Sequence, residues 1–277
     1  MTQTTRSNRR ITHRTRGTQH GFIRRMVSPG DLGEVMKPFI FLDFVHGRVA
    51  PGAGFGWHPH SGLATLTYSL NSDAAYEDTA GQKGTVEATG LEWMRAGGGT
   101  WHQGFIHPRE EMVTAFQLWV ALPPGVEDGP PEGTYVPPEG VPQVGNVRVL
   151  LGHYGGRQNP IATPSSIHYL DVVLGAGETW RHTPPADHEV AWAFVYRGRA
   201  RVEGESIAGE LVVLEHGASE LVFEAEEPAR ALVGTAVRHA HRLVLGDYSV
   251  HTNRESLARG EARIREVRDT LRRAGRV

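Results

Sequence analysis

The chain has 277 residues, with 29 Lys and Arg against 31 Asp and Glu, 15 His and no Cys. A formal net charge of −2 supplies no overall pull towards nucleic acid or anionic lipid, so neither a membrane nor a direct nucleic-acid partner is expected. The lack of Cys excludes disulfides, thiolate metal sites and cysteine nucleophiles, so any metal must be held by imidazole, carboxylate or backbone oxygen. The 34 Gly and 17 Pro favour turns and short strands over a helical bundle.

Residues 1–25 carry Arg6, Arg9, Arg10, Arg14, Arg16, Arg24 and Arg25 with no acid before Asp31, and read as a solvated basic arm. The arm has no apolar h-region, and nothing in the chain approaches the ~20 apolar residues of a membrane helix. A cytoplasmic protein is therefore expected. Residues 26–122 read as a first β domain. Leu63–Leu70 alternates Ala64, Leu66, Tyr68 and Leu70 with Thr65, Thr67 and Ser69. Val113–Leu122 alternates in the same way, with Phe116, Leu118, Val120 and Leu122 on one face. Both are half-buried strands of an antiparallel sheet, with Ala64, Leu66 and Tyr68 expected on the interior face.

Residues 123–143 (PPGVEDGPPEGTYVPPEGVPQ) carry no strand or helix pattern and read as a linker. Strand patterns resume over 144–277, which reads as a second β domain ending in a helix. TYSLNSDAAYED followed by GTVEATGLEWMRAGGG faintly echoes AFVYRGRARVEG followed by ESIAGELVVLEHG, about 130 residues on, as a duplicated unit would. Residues 254–273 form the one strong helix pattern, with Ile264, Val267 and Leu271 at spacings of three and four.

The informative segment is GAGFGWHPHSGLATLTYSL. His58 and His60 are two apart, and Pro59 biases the backbone towards extended geometry, so the two imidazoles project to one side. A third histidine, His102, follows the run Gly97, Gly98, Gly99, where a tight turn can form. Three imidazoles from two strands can make one face of a metal's coordination shell and leave positions open for water or substrate. A structural role for each ring is the competing reading. His107 has the opposite parity to His102 and would reach the site only through a bulge; Gln103 alternates away from it. His182 and His188 flank TPPAD and read as solvated loop residues, and His239, His241 and His251 read as structural.

HPHSG at His58, TYSL at Thr67, YEDTAGQKG at Tyr76 and LEWMRAGGGTWH from Leu91 to His102 together resemble the pirin family of the cupin superfamily. FVYRGRARVEG, ELVVLEHG, PARALVGTA and LVLGDYSVHTNRESLARGE extend the likeness, more weakly, through the second half. The resemblance implies an all-β fold of two consecutive cupin barrels, closed by a C-terminal helix. It also implies one divalent transition metal in the first barrel, usually Fe(II), with Mn, Ni, Cu or Zn as alternatives. Carried over by motif, the metal ligands are His58, His60 and His102. The family's fourth ligand, a Glu, falls at Gly104, and a further acidic position falls at Ala64, so both carboxylates are absent.

Two functions follow from the likeness. One is quercetin 2,3-dioxygenase-type chemistry on a small aromatic substrate such as a flavonol, in a cavity lined by Phe55, Trp57, Tyr68, Trp93 and Trp101. The other is a non-catalytic regulatory protein, a transcriptional or metabolic co-regulator with a protein partner. A degenerate, metal-free cupin is a third reading. No carboxylate base for a substrate hydroxyl is evident beside the three histidines.

Overall fold

The alternating patterns become antiparallel strands in a computed structural model that describes residues 9–277; residues 1–8, Arg6 among them, lie outside the described residues. Two compact units divide the chain: one contains residues 18–141 and 239–277, the other residues 9–17 and 142–238. Among the described residues the fold is all-β, with a short α-helix, α1 (Leu32–Met36), a long one, α2 (Arg254–Arg273), and a single 3-10 turn at Pro138–Gly140. Among the described residues, no helix is long and apolar enough to cross a membrane.

After β1 (Ile11–Thr15), the first barrel runs through β2 (Thr18–His20), β3 (Ile23–Val27), β4 (Phe39–Gly47), β5 (Gly54–His60) and β6 (Leu63–Ser69). It continues with β7 (Ser72–Asp78), β8 (Lys83–Val86), β9 (Leu91–Arg95), β10 (Thr100–Pro108), β11 (Val113–Ala121) and β12 (Glu132–Val136). A large sheet in the order β12-β9-β6-β11-β4-β3-β2 faces a small sheet in the order β5-β10-β7-β8. The corner between β5 and β6 is Gly62, at φ +75°, where a Cβ would lie 2.1 Å from the Val250 carbonyl oxygen. Only Gly fits such a corner.

The second barrel repeats this plan. Its large sheet places Glu210–Leu214, Val190–Arg197, Ala229–Ala236, Ile167–Leu174 and Val147–Leu151 in the order in which the first has β9, β6, β11, β4 and β3. Its small sheet, Thr179–His182, Leu221–Ala225, Ala200–Val202 and Glu205–Ile207, matches β5-β10-β7-β8. The echo between TYSL and AFVY thus sits on equivalent central strands, with Thr67 matched to Ala193. Apolar side chains, among them Val172, Val195, Leu214 and Phe223, fill this barrel.

Three boundaries differ from the sequence reading. The basic arm is built into structure from Arg9 onward: β1 pairs with Glu210–Leu214, and β2–β3 extend the first barrel's large sheet. The arginines that suggested solvation are spent on that edge, Arg9 on the Glu189 and Glu215 carbonyls and Arg14 and Arg16 on Glu210. The 123–143 segment is no linker either. β12 pairs with β9, and Glu127, 1% exposed, accepts hydrogen bonds from the Thr252 N–H and hydroxyl. Finally, α2 belongs to the first barrel's unit rather than the second's. Asn253 caps it by accepting from the Ser256 N–H, and the Trp101 indole donates to the Ile264 carbonyl.

Candidate metal centre

β5 and β10 are antiparallel neighbours, with His102 opposite His58 and Thr100 opposite His60. Their side chains point towards the large sheet, where the His60 ring meets Trp119 edge-on at 4.7 Å. Ring centroids lie 4.2 Å apart for His58–His102, 5.0 Å for His60–His102 and 5.1 Å for His58–His60. One ring nitrogen of each falls within 4.8 Å of the other two; among the described residues, no other group of three His, Asp or Glu side chains does this.

Hydrogen bonding decides which nitrogens are free. His58 Nδ1 donates to the Gly56 carbonyl at 2.8 Å, and His60 Nδ1 donates to the Tyr248 carbonyl at 3.2 Å. Both rings are thereby fixed in the tautomer that leaves Nε2 with a free lone pair. His102 Nε2 is buried without a hydrogen-bond partner. Burial lowers all three pKa values: His60 to about 3, with the neighbouring imidazole adding to the effect, His102 well below its usual range, and His58 downward to a lesser degree. Three neutral, converging imidazoles, one with an orphaned donor atom, fit a divalent transition metal.

The rings open into a cavity of about 540 Å³ between the two sheets. Ile23, Phe41, Val45, Phe55, Phe105 and Trp119 supply apolar wall. A polar row crosses the large sheet opposite: Glu92, Thr67, Gln117, Asp43 and Arg25 are successive register partners on β9, β6, β11, β4 and β3, and all line the cavity. Arg25 grips Asp43 through two hydrogen bonds and lies over the Phe41 ring.

The structure therefore reverses the expected facing of the large sheet. Gly62 breaks the register between β5 and β6, so the cavity sees Thr67 and Ser69, while Ala64, Leu66 and Tyr68 are buried on the other face. Of the five aromatics expected in the lining, Phe55 is there. Tyr68 and Trp93 are on the far face, Trp57 stacks under Arg276, and Trp101 is engaged with α2. The vacancy at Ala64 consequently removes nothing from the cavity. Gly104 does line it, whereas His107 is exposed and stands opposite Asp73. His182 and His188 are buried rather than solvated. Sequence reasoning missed Glu92, Gln117, Asp43 and the 247–250 segment. The signal for Glu92 was an acid between Leu91 and Trp93, and it was lost once the wrong face was taken as inward.

The pirin family profile matches residues 21–120. A Pseudomonas aeruginosa protein, named as a candidate quercetin 2,3-dioxygenase, is 31% identical over 229 residues, which cover 76% of this chain and 79% of that protein. The chain belongs to the pirin family. Pirin-1 of Arabidopsis thaliana is 31% identical over 175 residues, or 62% of this pirin and 59% of the plant protein. Among solved structures, a quercetin 2,3-dioxygenase from Acinetobacter baumannii superposes with a TM-score of 0.86 at 23% identity, covering 93% of this chain and 97% of that one. The bacterial pirin YhhW of Escherichia coli, solved with nickel(II), gives 0.65 at 19% identity, covering 83% and 98%. These likenesses establish the two-barrel fold.

Proposed function

We propose that this pirin holds one divalent metal, Fe(II) in our assignment, on His58, His60 and His102. It would open the central ring of a flavonol with O₂ and release carbon monoxide, as a quercetin 2,3-dioxygenase does. The observation that carries this reading is the convergence of three neutral imidazoles at one end of an aromatic-walled cavity of about 540 Å³. The named activity of the 31% identical relative supports it.

A bound metal would supply Lewis acidity towards a substrate oxygen and electron exchange with O₂. The rest falls to the chain. The Gly56 and Tyr248 carbonyls hold two of the three rings in their ligating orientation. Phe55 and Trp119 present apolar surface suited to a planar polyphenol, with Trp119 and Arg25 covering the two faces of Phe41 behind them. Because all three ligands are neutral and Gly104 brings no carboxylate, the chain leaves the ion's charge uncompensated, which favours an anionic substrate oxygen.

Metal analysis of protein purified without chelator, followed by an aerobic quercetin assay, tests the reading. About one metal per chain, loss of the flavonol absorbance and evolution of carbon monoxide are expected. Metal-loaded protein that leaves quercetin intact would overturn it.

A further inference from the structure

With Gly at 104, no carboxylate converges with the three rings; of those lining the cavity, Asp43 is held by Arg25 and Asp247 is exposed. The third is on the opposite wall. Glu92 projects from β9 into the same cavity and is 7% exposed. Its Oε2 accepts a 2.8 Å hydrogen bond from the Thr67 hydroxyl; among the described residues, no donor reaches Oε1.

Thr67 Oγ1 also lies 3.1 Å from the Gln117 side-chain amide oxygen, and the Gln117 Nε2 has no partner. A half-turn of that amide lets Nε2 donate to Thr67, giving a relay in which Gln117 donates to Thr67 and Thr67 donates to Glu92. The relay holds the carboxylate in place and spends one of its oxygens, leaving the other for a ligand.

The fold does not require this arrangement. In the second barrel the corresponding row, on strands in the same order, reads Val212, Ala193, Val233, Leu170 and Val149, again as successive register partners. All five are buried in that barrel's apolar core. Where the duplicated unit has only to fold, the row is hydrocarbon. In the barrel with the histidine triad it is Glu92, Thr67, Gln117, Asp43 and Arg25. Burying a carboxylate costs stability that a Val in its place would not. The cost is sustained at the wall that faces the three imidazoles.

We infer that Glu92 is the proton acceptor for the acidic hydroxyl of a planar polyphenol bound in this cavity. This assignment rests on the flavonol reading above and adds the residue that ionises the substrate. The substrate O–H bond breaks, a Glu92 Oε1–H bond forms, and the electron pair stays on the substrate oxygen, which is left as the anion that a neutral three-imidazole site favours. Burial raises the Glu92 pKa to about 7; the Thr67 hydrogen bond opposes the shift and the Asp78 charge adds to it. Thr67 on β6 and Asp78 on β7 set this balance with burial; Tyr76 on β7 and Tyr135, opposite on β12, are the other titratable neighbours. A base poised near the working pH accepts a proton without holding it permanently.

The test is Glu92→Gln in the metal-loaded protein. Quercetin affinity measured without oxygen should stay within about threefold of the parent. In air, kcat should fall by about 10²–10⁴-fold with KM little changed. The parent's activity should be present above pH 7 and fall away as Glu92 protonates, and the variant should lose that acidic limb. Thr67→Val, which removes only the hydroxyl aimed at the carboxylate, is the second variant; it should move the limb to higher pH. Glu92→Gln with kcat within threefold and an unchanged limb, or Thr67→Val with an unmoved limb, overturns the assignment while leaving the flavonol reading intact. A parent that neither binds nor consumes quercetin overturns both.

Discussion

Each barrel of this pirin gathers histidines, and the two clusters differ in character. In the first barrel, His58 and His60 give their Nδ1 hydrogens to backbone carbonyls and keep Nε2 clear, so three rings converge on a common point. In the second, hydrogen bonds engage the rings only in part, and His168 Nδ1 and His182 Nε2 are buried without a partner. His168 Nε2 lies 3.2 Å from His153 Nδ1, and His188 is held between the Ser166 and Thr235 hydroxyls at 2.8 and 2.9 Å. His182 stacks on Trp180. Burial weakens proton binding at His58, His60 and His102 in the first and at His168, His182 and His188 in the second. The difference is convergence: carbonyl partners leave the far nitrogens of His58 and His60 free beside His102, whereas no three ring nitrogens of the second cluster come within 4.8 Å of one another. Histidine count and burial therefore say little about metal binding until the hydrogen bonds of each ring are known.

The comparison breaks first if metal does not follow it. His102→Ala should lower metal affinity by more than ~100-fold, beyond what the loss of an outer-shell partner costs. His168→Ala should leave metal content unchanged, because its ring belongs to the cluster whose donors do not converge. Elemental analysis of both variants beside the parent checks this. Equal metal loss in both would mean that the second cluster is a site in its own right.

The second cluster should also make the fold sensitive to acid. His168 is lowered to about 3, and His182 and His188 to about 4, in each case chiefly by burial. In the unfolded chain the same rings take up protons near 6.5. Between that value and about 4 the unfolded state binds more protons, so the stability these rings lend is full above 6.5 and is lost as pH falls through this window. The loss between pH 6.5 and 4 is on the order of several kcal/mol. His168→Gln should flatten that slope in denaturant titrations at several pH values. An unchanged slope would show that the second cluster does not govern acid sensitivity.

Much of this was legible in the sequence. The HPH pair, the glycine run before His102 and the strand alternation identified the three rings and the all-β class, because ligand spacing and period-two patterning are local properties. The facing of the large sheet was not legible. Both faces of β6 are buried, so hydrophobicity could not say which one looks into the cavity; the answer lay in the positive φ of Gly62 between two sheets. That single inversion hid Glu92, Gln117 and Asp43 and nominated Tyr68 and Trp93 instead. The arginine-rich start misled for a related reason. Its partners, Glu189, Glu210 and Glu215, lie some 180 residues or more away in the chain, and no local pattern pairs them.

The finest test of the comparison restores the carboxylate that separates this triad from a four-ligand site. Gly104 follows His102 by two positions on β10, so a side chain there points into the same cavity. The nearest atom to an added Cβ is the Ala75 carbonyl oxygen at 3.6 Å, an ordinary contact, and Gly104 is not among the residues with positive φ. Gly104→Glu should therefore fold as the parent does and hold its metal about tenfold more tightly, since a ligating carboxylate both adds a bond and offsets charge. It should also bind flavonol anions less well, because the ion's charge is now partly neutralised. Competition against a chelator reads the first effect, and anaerobic quercetin titration reads the second. A variant that folds yet retains metal no better than the parent would mean that position 104 does not address the point where the three rings converge.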